Sequence, residues 1–415
     1  MKIVHIITRL ILGGAQENTI LTCEGLHQRG HEVTLITGPP LGPEGQLMDR
    51  ARSGGYRVIE LNSLRRAINP FHDIPAYRQL KKLLTELGPD IVHTHSAKAG
   101  ILGRRGAYVL RQKSAAACCS AVRKFRAAQV AHCGRPRIIH TIHGLAFHPY
   151  QSGLLNLPYI TLERKAARQT DALISVAQAM TDQALAAGIG RPEQYTTVFS
   201  GLEMNHFLQI PTPEEIAALR EELHIPSDAV VIATVARLFH LKGHEYIINA
   251  AREIVKEHKN VVWLFIGDGK LRNQLEQQIA GYNLTEHFRF TGLVRPERVA
   301  PLLHASDILV HCSLREGLAR ALPQALLCGK PVISFDVDGA REVIRDDQTG
   351  YLIAPRDIET LTQVQTKLIA DVDLRNRLGQ NGREFCRVEF DHERMVDRIE
   401  RVYLSQKDFL PGNGA

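Results

Sequence analysis

Long apolar runs are missing from this sequence, which never reaches the roughly eighteen consecutive apolar residues that a membrane-spanning helix needs. The first residues lead directly into a strand pattern and lack the small-residue cleavage site of a signal peptide. The sequence has seven cysteines, an odd number, and they are scattered along the chain without a Cys-x-x-Cys pair. Neither a disulfide framework nor a structural zinc site is therefore expected, and the pattern is typical of a reducing cytoplasm.

Acidic residues are missing from one long segment, since none occurs in residues 91–162. The two halves of the chain differ in charge as a result. Residues 1–205 contain 25 Lys and Arg against 14 Asp and Glu, a formal charge of +11, whereas residues 206–415 contain 26 against 30, a formal charge of −4. A basic half suits an anionic partner, such as a bilayer surface, a lipid pyrophosphate or a nucleic acid.

The length of 415 residues is too great for one ordinary hydrophobic core and predicts two domains. Both halves alternate short apolar runs with amphipathic helical patterns, which is typical of α/β domains with parallel sheets. The run from Val230 to Val235 is purely apolar, as expected for a strand that helices cover on both faces. In such sheets ligands bind at the carboxyl ends of the strands, so polar residues that follow a strand are the functional candidates.

One candidate group follows the apolar run that ends at Val310. Glu316 lies between that run and a helical pattern from Ala321 to Leu327, and Gly317 allows the backbone to approach a ligand closely. Backbone N–H groups at the start of a helix favour an anion. A carboxylate beside such groups suits a ligand that carries both hydroxyls and phosphate.

A second group follows Val235, where Arg237 and Lys242 occupy a strand-to-helix loop that suits a diphosphate. Further on, Gly267-Asp268-Gly269 forms a glycine turn after another apolar run, but it lacks the third Gly of a dinucleotide-binding fingerprint. Asp336-x-Asp338 follows a strand pattern and precedes a Gly. We interpret this pair as loop polarity rather than as a metal site.

The first half offers three histidines at strand ends. His93 and His95 close one buried run and share a face, because side chains alternate along a strand, and His143 follows the next run. A His-x-His pair also occurs in metal-dependent hydrolases, but no clear carboxylate partner accompanies it here. The preferred interpretation is that His95, Ser96 and Lys98 line a ligand crevice.

The segment SLREGLARALPQALLCGKPVISFDVDGAREVI, residues 313–344, resembles the donor-site segment of retaining glycosyltransferases of family 4. That family is marked by a Glu followed eight positions later by a second Glu, and here Glu316 is followed by Gln324. An amide oxygen accepts a hydroxyl proton without the strengthening charge of a carboxylate, so a weakened ribose contact is implied. The resemblance implies an α/β GT-B fold, with two Rossmann-like parallel-sheet domains facing a deep interdomain cleft.

The resemblance also implies three sets of site residues, and Gly13-Gly14 after the first strand is similar to the family's glycine loop. The catalytic set is Glu316, His143, Arg237 and Lys242. The donor-binding set is Gly13, Gly14, Gly267, Leu293, Val294, Gly317, Leu318, Ala319 and Gln324, and the acceptor-binding set is His95, Ser96 and Lys98. Neither a metal ion nor another cofactor is expected, since the two cations take the place of a metal at the donor pyrophosphate.

The expected domains are residues 1–205 on the acceptor side and residues 206–384 for the nucleotide sugar. A C-terminal helix over 385–404 is expected to cross back to the first domain, before a disordered tail over 405–415. Residues 112–135 look like a basic insertion relative to the family. A basic, partly apolar helix there suits an anionic membrane surface, and a solvated surface excursion explains it equally well.

The resemblance implies a retaining, metal-independent glycosyltransferase that moves a sugar from a nucleotide-diphosphate sugar to an acceptor hydroxyl. Cell-surface or exopolysaccharide synthesis on a lipid-linked or saccharide acceptor is the expected context, in the cytoplasm or on the inner face of its membrane. Two alternatives remain open. One is a nucleotide-sugar epimerase or phosphorylase on the same fold, and the other is a non-catalytic basic protein that binds polyanions or membranes. A nucleic-acid partner is not expected.

Overall fold

The computed structural model describes residues 1–41, 45–122 and 135–405. Residues 123–134 of the expected insertion and residues 406–415 of the expected tail lie outside the described residues. The chain divides into two compact units, the first made of Met1–Gly201 with His392–Ala415 and the second of Leu202–Asp391. Within the described ranges, no helix has both the length and the apolar character to cross a bilayer.

The first unit is built on one parallel sheet. Its strands are β1 Lys2–Ile7, β2 Glu32–Thr37, β3 Arg57–Glu60, β4 Ile91–His95, β5 Arg137–Ile142, β6 Ala172–Ser175 and β7 Tyr195–Thr197. Its helices up to β7 are α1 Gly14–Gln28, α2 Met48–Ser53, α3 Pro70–Leu87, α4 Ala97–Val122, α5 Gly153–Ala167 and α6 Gln178–Ala186, with a short 3-10 turn at Pro192–Gln194. The strand order is β3-β2-β1-β4-β5-β6-β7. The central strands are buried on both faces, which explains their apolar runs.

The second unit repeats this plan with a smaller parallel sheet. Its strands are β8 Val230–Val235, β9 Val261–Ile266, β10 Phe288–Gly292, β11 Ile308–His311, β12 Val332–Phe335 and β13 Gly350–Ile353, in the order β10-β9-β8-β11-β12-β13. Its helices are α7 Asn205–Leu208, α8 Pro213–Glu222, α9 His244–Ile254, α10 Arg272–Gly281, α11 Pro296–His304, α12 Ala321–Leu327, α13 Ala340–Val343, α14 Ile358–Ala370 and α15 Val372–Glu389, with a 3-10 turn at Thr285–His287.

In each sheet the strand order reverses at one place. The reversal lies between β1 and β4 in the first unit and between β8 and β11 in the second. At such a point the loops that leave the two neighbouring strands run in opposite directions and open a crevice at the carboxyl edge, where ligands bind in doubly wound sheets. The residues that follow these four strands are therefore the best placed for function.

The last helix, α16 His392–Leu404, belongs to the first unit. It packs against α1, where Arg29 forms ion pairs with Asp397 at 2.6 Å and Glu400 at 2.8 Å. The single helix expected over residues 385–404 is instead the end of α15 followed by α16. Phe390 and Asp391 separate the two, and the Phe390 carbonyl accepts a hydrogen bond from Leu202 N–H at 2.8 Å. The unit boundaries thus fall at Gly201 and Asp391, a few residues from the expected ones.

Part of the positive charge in the acid-free segment is neutralised inside the first unit. Arg104, which is fully buried, lies 2.6 Å from Glu163, and Arg111 lies 2.7 Å from Asp171. Both carboxylates come from later in the chain than the acid-free segment. Arg104 and Arg111 therefore form ion pairs within the first unit, so the positive charge of this segment is not all available as a basic surface.

The contact between α12 and α15 supplies a test of the packing in the second unit. A Cβ atom added at Gly379 in α15 would lie 1.9 Å from the Gly329 carbonyl oxygen, a backbone atom that cannot rotate away. We expect Gly379→Ala to lower the free energy of unfolding of this unit by about 2 kcal/mol. Fluorescence of the single tryptophan, Trp263, which is buried in this unit, follows its unfolding in urea.

The matched control is Gly281→Ala at the end of α10, where an added Cβ meets nothing within 4 Å. Alanine has the higher helix propensity, so this variant is expected to be neutral or stabilised by up to ~1 kcal/mol. Equal stability of Gly379→Ala and the parent protein would contradict the packing described above.

Candidate active site

In the second unit, β8 and β11 are adjacent and parallel, so the loops that follow them leave the sheet side by side. Leu314 N–H donates to the Leu241 carbonyl at 2.8 Å, and Ser313 Oγ donates to the same oxygen at 3.0 Å. Gly243 has a φ of +75°, and a Cβ there would lie 1.9 Å from the Cys312 carbonyl oxygen. Glycine is thus required at this position by both its backbone conformation and its close contact.

These loops bring Lys242 and Glu316 together. The Lys242 ammonium forms an ion pair and hydrogen bond with Glu316 Oε1, and His311 Nε2 lies 3.1 Å from the same oxygen. The Glu316 backbone N–H donates to Asp338 Oδ2 at 2.6 Å, which fixes the loop from the other side. Asp338, part of the Asp336-x-Asp338 pair, thus has a structural contact that accounts for its position.

The carboxyl of Glu316 is held in its ionised form. Burial by itself raises the pKa of this group, but the positive charge of Lys242 and the hydrogen bond from His311 outweigh it and hold the pKa well below the usual range. Oε1 makes both of these contacts, and Oε2 has no hydrogen-bond partner in the part of the chain that the structure describes. The site therefore presents one carboxylate oxygen as an acceptor for an added ligand.

A third loop, after β9, packs against the β8 loop. Leu238 N–H donates to the Asp268 carbonyl at 3.0 Å, and a Cβ at Gly267 would lie 2.2 Å from the Ala236 carbonyl oxygen. Arg237 is exposed, and its guanidinium lies over the ring of Phe239 at 5.0 Å. The carboxyl edge of the sheet thus carries both predicted cations on one loop, with Lys242 directed to Glu316.

The remaining residues of the predicted donor-binding set occupy the loops of the second unit or their surroundings. The Gly317 carbonyl accepts a hydrogen bond from Gly339 N–H at 3.3 Å. Leu318 and Ala319 are buried, Gln324 is half-buried in α12, and Leu293 and Val294 follow β10 with Leu293 exposed. Their contacts with a donor stay a prediction. Gly13 and Gly14 lie at the start of α1 in the first unit, and Gly13 N-caps that helix.

His311 is a member of this site that the sequence analysis missed. It is the last residue of β11 and is buried, and it holds the same oxygen of Glu316 as Lys242 does. Its signal in the sequence was available, since it directly follows Ile308-Leu309-Val310 and precedes the Glu316 loop. A polar residue at the end of an apolar run points to the carboxyl edge of the sheet.

The first unit contains a continuous row of hydrogen-bonding side chains, here called the histidine chain. Its members in order are Thr141, His93, Tyr403, His5, His95 and His143. Successive atoms are separated by 2.7 Å from Thr141 Oγ1 to His93 Nε2, 2.6 Å from His93 Nδ1 to Tyr403 Oη and 3.4 Å from Tyr403 Oη to His5 Nε2. The row continues with 3.0 Å from His5 Nδ1 to His95 Nε2 and 3.1 Å from His95 Nδ1 to His143 Nε2.

Strand register explains why the chain exists. His5 on β1 is paired with His93 on β4, and His95 follows two residues later on the same face. Tyr403 reaches the row from α16, and Thr141 reaches it from β5. The histidine chain thus crosses the strands at which the order of the first sheet reverses.

The predicted acceptor-binding residues have hydrogen-bond partners within the first unit, and their contact with an acceptor stays a prediction. His95 is fully buried and both of its ring nitrogens are hydrogen-bonded, which favours a role behind His143 over direct contact with an acceptor. Ser96 Oγ lies 2.7 Å from Thr8 Oγ1, and Lys98 lies 2.6 Å from Asp73. His143 is only partly buried, so it is the member of the chain nearest to solvent.

Three members of the chain also have the spacing of a metal site. Ligand atoms of His5, His93 and His95 lie within 4.8 Å of one another. However, the nitrogens of His93 already bond Tyr403 and Thr141, and His5 bonds His95 directly. Binding an ion would require these buried hydrogen bonds to break, so the imidazoles fit a hydrogen-bonded row better than a ligand set.

Comparisons with known proteins identify the family. The family model of the glycosyl transferase 4-like domain matches residues 13–201, and the model of glycosyl transferases group 1 matches residues 215–385. The chain belongs to the group 1 glycosyltransferases of family 4. The family predicted from the Glu316 segment is thus confirmed, whereas neither match tests the retaining mechanism or the role of an individual residue.

Two characterised relatives of this glycosyltransferase align over most of its length. The UDP-Gal:alpha-D-GlcNAc-diphosphoundecaprenol alpha-1,3-galactosyltransferase of Escherichia coli is 26% identical over 407 residues, which is 97% of each chain. The N-acetyl-alpha-D-glucosaminyl L-malate synthase of Bacillus anthracis is 22% identical over 384 residues, covering 91% of this chain and 90% of the relative. These relatives and the family matches support a glycosyltransferase enzyme over the alternatives of an epimerase and of a non-catalytic protein.

Solved structures confirm the GT-B fold of the glycosyltransferase. Anabaena HepE in complex with UDP-glucose matches with a TM-score of 0.78 at 20% identity, covering 97% of this chain and 99% of that chain. WaaG, a glycosyltransferase involved in lipopolysaccharide biosynthesis, matches with a TM-score of 0.71 at 17% identity, covering 97% and 100%. At these identities the likeness concerns the fold alone.

The buried histidines of the glycosyltransferase predict acid sensitivity of its first unit. Burial lowers the pKa of His5 from 6.5 to about 3, and it also lowers the pKa values of His93, His95 and His140. These groups stay neutral when folded but bind protons when unfolded, so stability falls as the pH drops below 6.5. The slope that each contributes grows as the pH falls below 6.5 and approaches about 1.4 kcal/mol per pH unit.

In the second unit, by comparison, burial lowers the pKa values of two described histidines, His244 to about 3 and His304 to about 4. We therefore expect amide hydrogen exchange in β1 and β4 to lose protection more steeply than exchange in β8 and β9 between pH 7 and 5, after correction for the intrinsic rate. The exposed His206 provides the control, since His206→Gln should leave both slopes unchanged. Equal slopes in the two sheets would contradict this expectation.

Proposed function

We propose that the protein transfers a sugar from a nucleotide-diphosphate sugar to an acceptor hydroxyl, with retention of the anomeric configuration and without a metal ion. The observation that carries this proposal is the contact of Lys242 with Glu316 at the carboxyl edge of the second sheet. An ammonium group has three N–H donors, so Lys242 is able to keep its bond to Glu316 while it binds a phosphate oxygen. The site thus combines an acceptor for sugar hydroxyls with a cation for the diphosphate.

Each group has a distinct part in the proposed reaction. Lys242 and Arg237 stabilise the negative charge that develops on the departing nucleotide diphosphate, in place of a metal ion. Glu316 accepts a hydrogen bond from a sugar hydroxyl through Oε2 and orients the ring as positive charge develops at its anomeric carbon. The leaving phosphate draws the proton from the acceptor hydroxyl, which attacks from the same face. His143 contributes hydroxyl recognition or charge stabilisation.

For the acceptor, we propose a lipid-linked saccharide used in cell-surface or exopolysaccharide synthesis. The support is the Escherichia coli relative, whose printed name specifies an acceptor on diphosphoundecaprenol and which aligns over 97% of both chains. The first unit also has exposed apolar side chains on α5, where Leu154 is 87% exposed and Leu157 is 61% exposed. These residues suit a peripheral location at the inner face of the cytoplasmic membrane, where a lipid-linked acceptor resides.

Replacing Glu316 tests its role in transfer. We expect Glu316→Gln to reduce kcat by about 100-fold, because an amide lacks the charge that stabilises the transition state. The loss should be similar at pH 6 and pH 8, since the pKa of Glu316 lies well below its usual range and the parent carboxylate is ionised at both values. The kinetics are measured with the donor that gives the largest thermal shift in a screen of nucleotide sugars.

The control is Glu253→Gln, which removes an exposed carboxylate of α9 that pairs with Lys256. It should leave kcat unchanged. If Glu316→Gln retained the full kcat with a folded protein, the carboxylate would have no part in the reaction and this function would be wrong.

The stereochemistry and the metal requirement are tested with an acceptor of the relative's kind, an N-acetylglucosaminyl diphosphoundecaprenol in anionic vesicles. We expect NMR of the product to show the anomeric configuration of the donor, and we expect activity to be insensitive to EDTA. Flotation of the protein with the same vesicles checks the peripheral location. An inverted linkage or loss of activity with EDTA would contradict the corresponding part of the proposal.

A further inference from the structure

The histidine chain places restrictions on the protons of its members. Thr141, His93, Tyr403, His5 and His95 are all buried, and burial lowers the pKa values of the three histidines among them, so their rings are neutral. A neutral imidazole has one N–H donor and one acceptor nitrogen, and a hydroxyl donates once. Every link therefore points in the same direction, because a reversed link would place two acceptors face to face or leave the buried O–H of Tyr403 without an acceptor among the described residues.

Two directions are possible, and Thr141 favours one of them. The first possibility is that each group donates to its neighbour on the Thr141 side. His93 would then donate to Thr141 Oγ1, and the Thr141 O–H would need another acceptor. Thr141 is 2% exposed, and among the described residues its hydroxyl has no hydrogen-bond partner besides His93. A buried donor without an acceptor costs about 1–3 kcal/mol, more than an unfilled lone pair.

The favoured direction therefore starts at Thr141. Thr141 O–H donates to His93 Nε2, His93 Nδ1–H donates to Tyr403 Oη, and Tyr403 O–H donates to His5 Nε2. His5 Nδ1–H then donates to His95 Nε2, and His95 Nδ1–H donates to His143 Nε2. Since His143 accepts on Nε2, its own proton must be on Nδ1.

We propose that the histidine chain fixes the tautomer of His143, with the proton on Nδ1, and that Tyr403 and His5 are positioning residues for the reaction. The link of His143 to the reaction rests on the proposed function, whereas the tautomer follows from the buried hydrogen bonds. In this arrangement His143 offers a defined N–H donor to a hydroxyl or to developing negative charge. Tyr403 lies on α16, so the C-terminal helix has a part in setting the chemistry of the first sheet's carboxyl edge.

The decisive experiment is ¹⁵N NMR of the full-length protein with selectively labelled histidines, in which protonated and unprotonated ring nitrogens have well-separated shifts. We expect His143, assigned by its loss in His143→Gln, to show a protonated Nδ1 and an unprotonated Nε2. Tyr403→Phe removes one hydroxyl and separates His5, His95 and His143 from Thr141 and His93. In this variant an unfilled lone pair on His5 Nε2 costs less than a buried N–H without an acceptor, so His143 should keep its proton on Nδ1.

The matched control is Tyr195→Phe, which removes the hydroxyl of a partly buried tyrosine in the same unit. This hydroxyl lies outside the histidine chain and donates to the Ile189 carbonyl at 2.8 Å. Its His143 shifts should equal those of the parent protein. His95→Gln and His95→Asn test the last link of the chain, the bond from His95 Nδ1 to His143 Nε2. Asparagine places an amide N–H near the position of Nδ1 and should keep the bond to His143, whereas glutamine should lose it.

Steady-state kinetics provide the functional measurement. We expect Tyr403→Phe to lower kcat by about 10-fold to 100-fold through misplacement of His143, with the KM for the nucleotide sugar unchanged. A proton on Nε2 of His143 in the parent protein, or identical His143 shifts in His95→Gln, would overturn the tautomer proposal. Shifts that move while kcat stays constant would overturn the role of the chain in the reaction. The NMR result does not depend on activity, so it distinguishes failure of this proposal from failure of the proposed function.

Discussion

The close approach of two loops at the carboxyl edge of the second sheet is the constraint on which the candidate active site of this unit depends. β8 and β11 are parallel neighbours, so the loops that leave them share backbone hydrogen bonds, and Gly243 is needed for the contact. This geometry places an ammonium group against a carboxylate, and both side chains are largely buried. The attraction between the two charges offsets the free-energy cost of burying them. Removal of either group would leave the other charge buried and unpaired, which is strongly destabilising.

The same topological feature has a different consequence in the first unit. Where β1 and β4 meet, the side chains are histidines rather than an ion pair, and a tyrosine from α16 completes their hydrogen bonds. Neutral, mutually bonded rings avoid the burial of charge and also define the direction of every hydrogen bond. The two units thus use related sheet architectures to present different chemistry, a charged edge and a neutral polar one.

Much of the fold and part of the site could be predicted from the sequence. Apolar runs alternating with amphipathic helices indicated two parallel sheets, and Lys242 and Glu316 were recognised because each follows such a run. His311 was overlooked as the end of a strand, and the helix expected over 385–404 was two helices in series. The amphipathic pattern continues through both helices, so the sequence does not show where one ends and the next begins. The hydrogen bond from Leu202 N–H to the Phe390 carbonyl lies between the two helices and is not visible in a local pattern.

The sequence by itself determined the family, the two α/β units and the kinds of side chain at the strand ends, because local periodicity and short motifs encode these properties. Only the tertiary structure decided which of these side chains meet. His5 and Tyr403 are 398 positions apart in the chain, yet they share a hydrogen bond because α16 returns to the first sheet. Strand order and the return of the last helix depend on packing between distant segments, and no local pattern specifies such contacts.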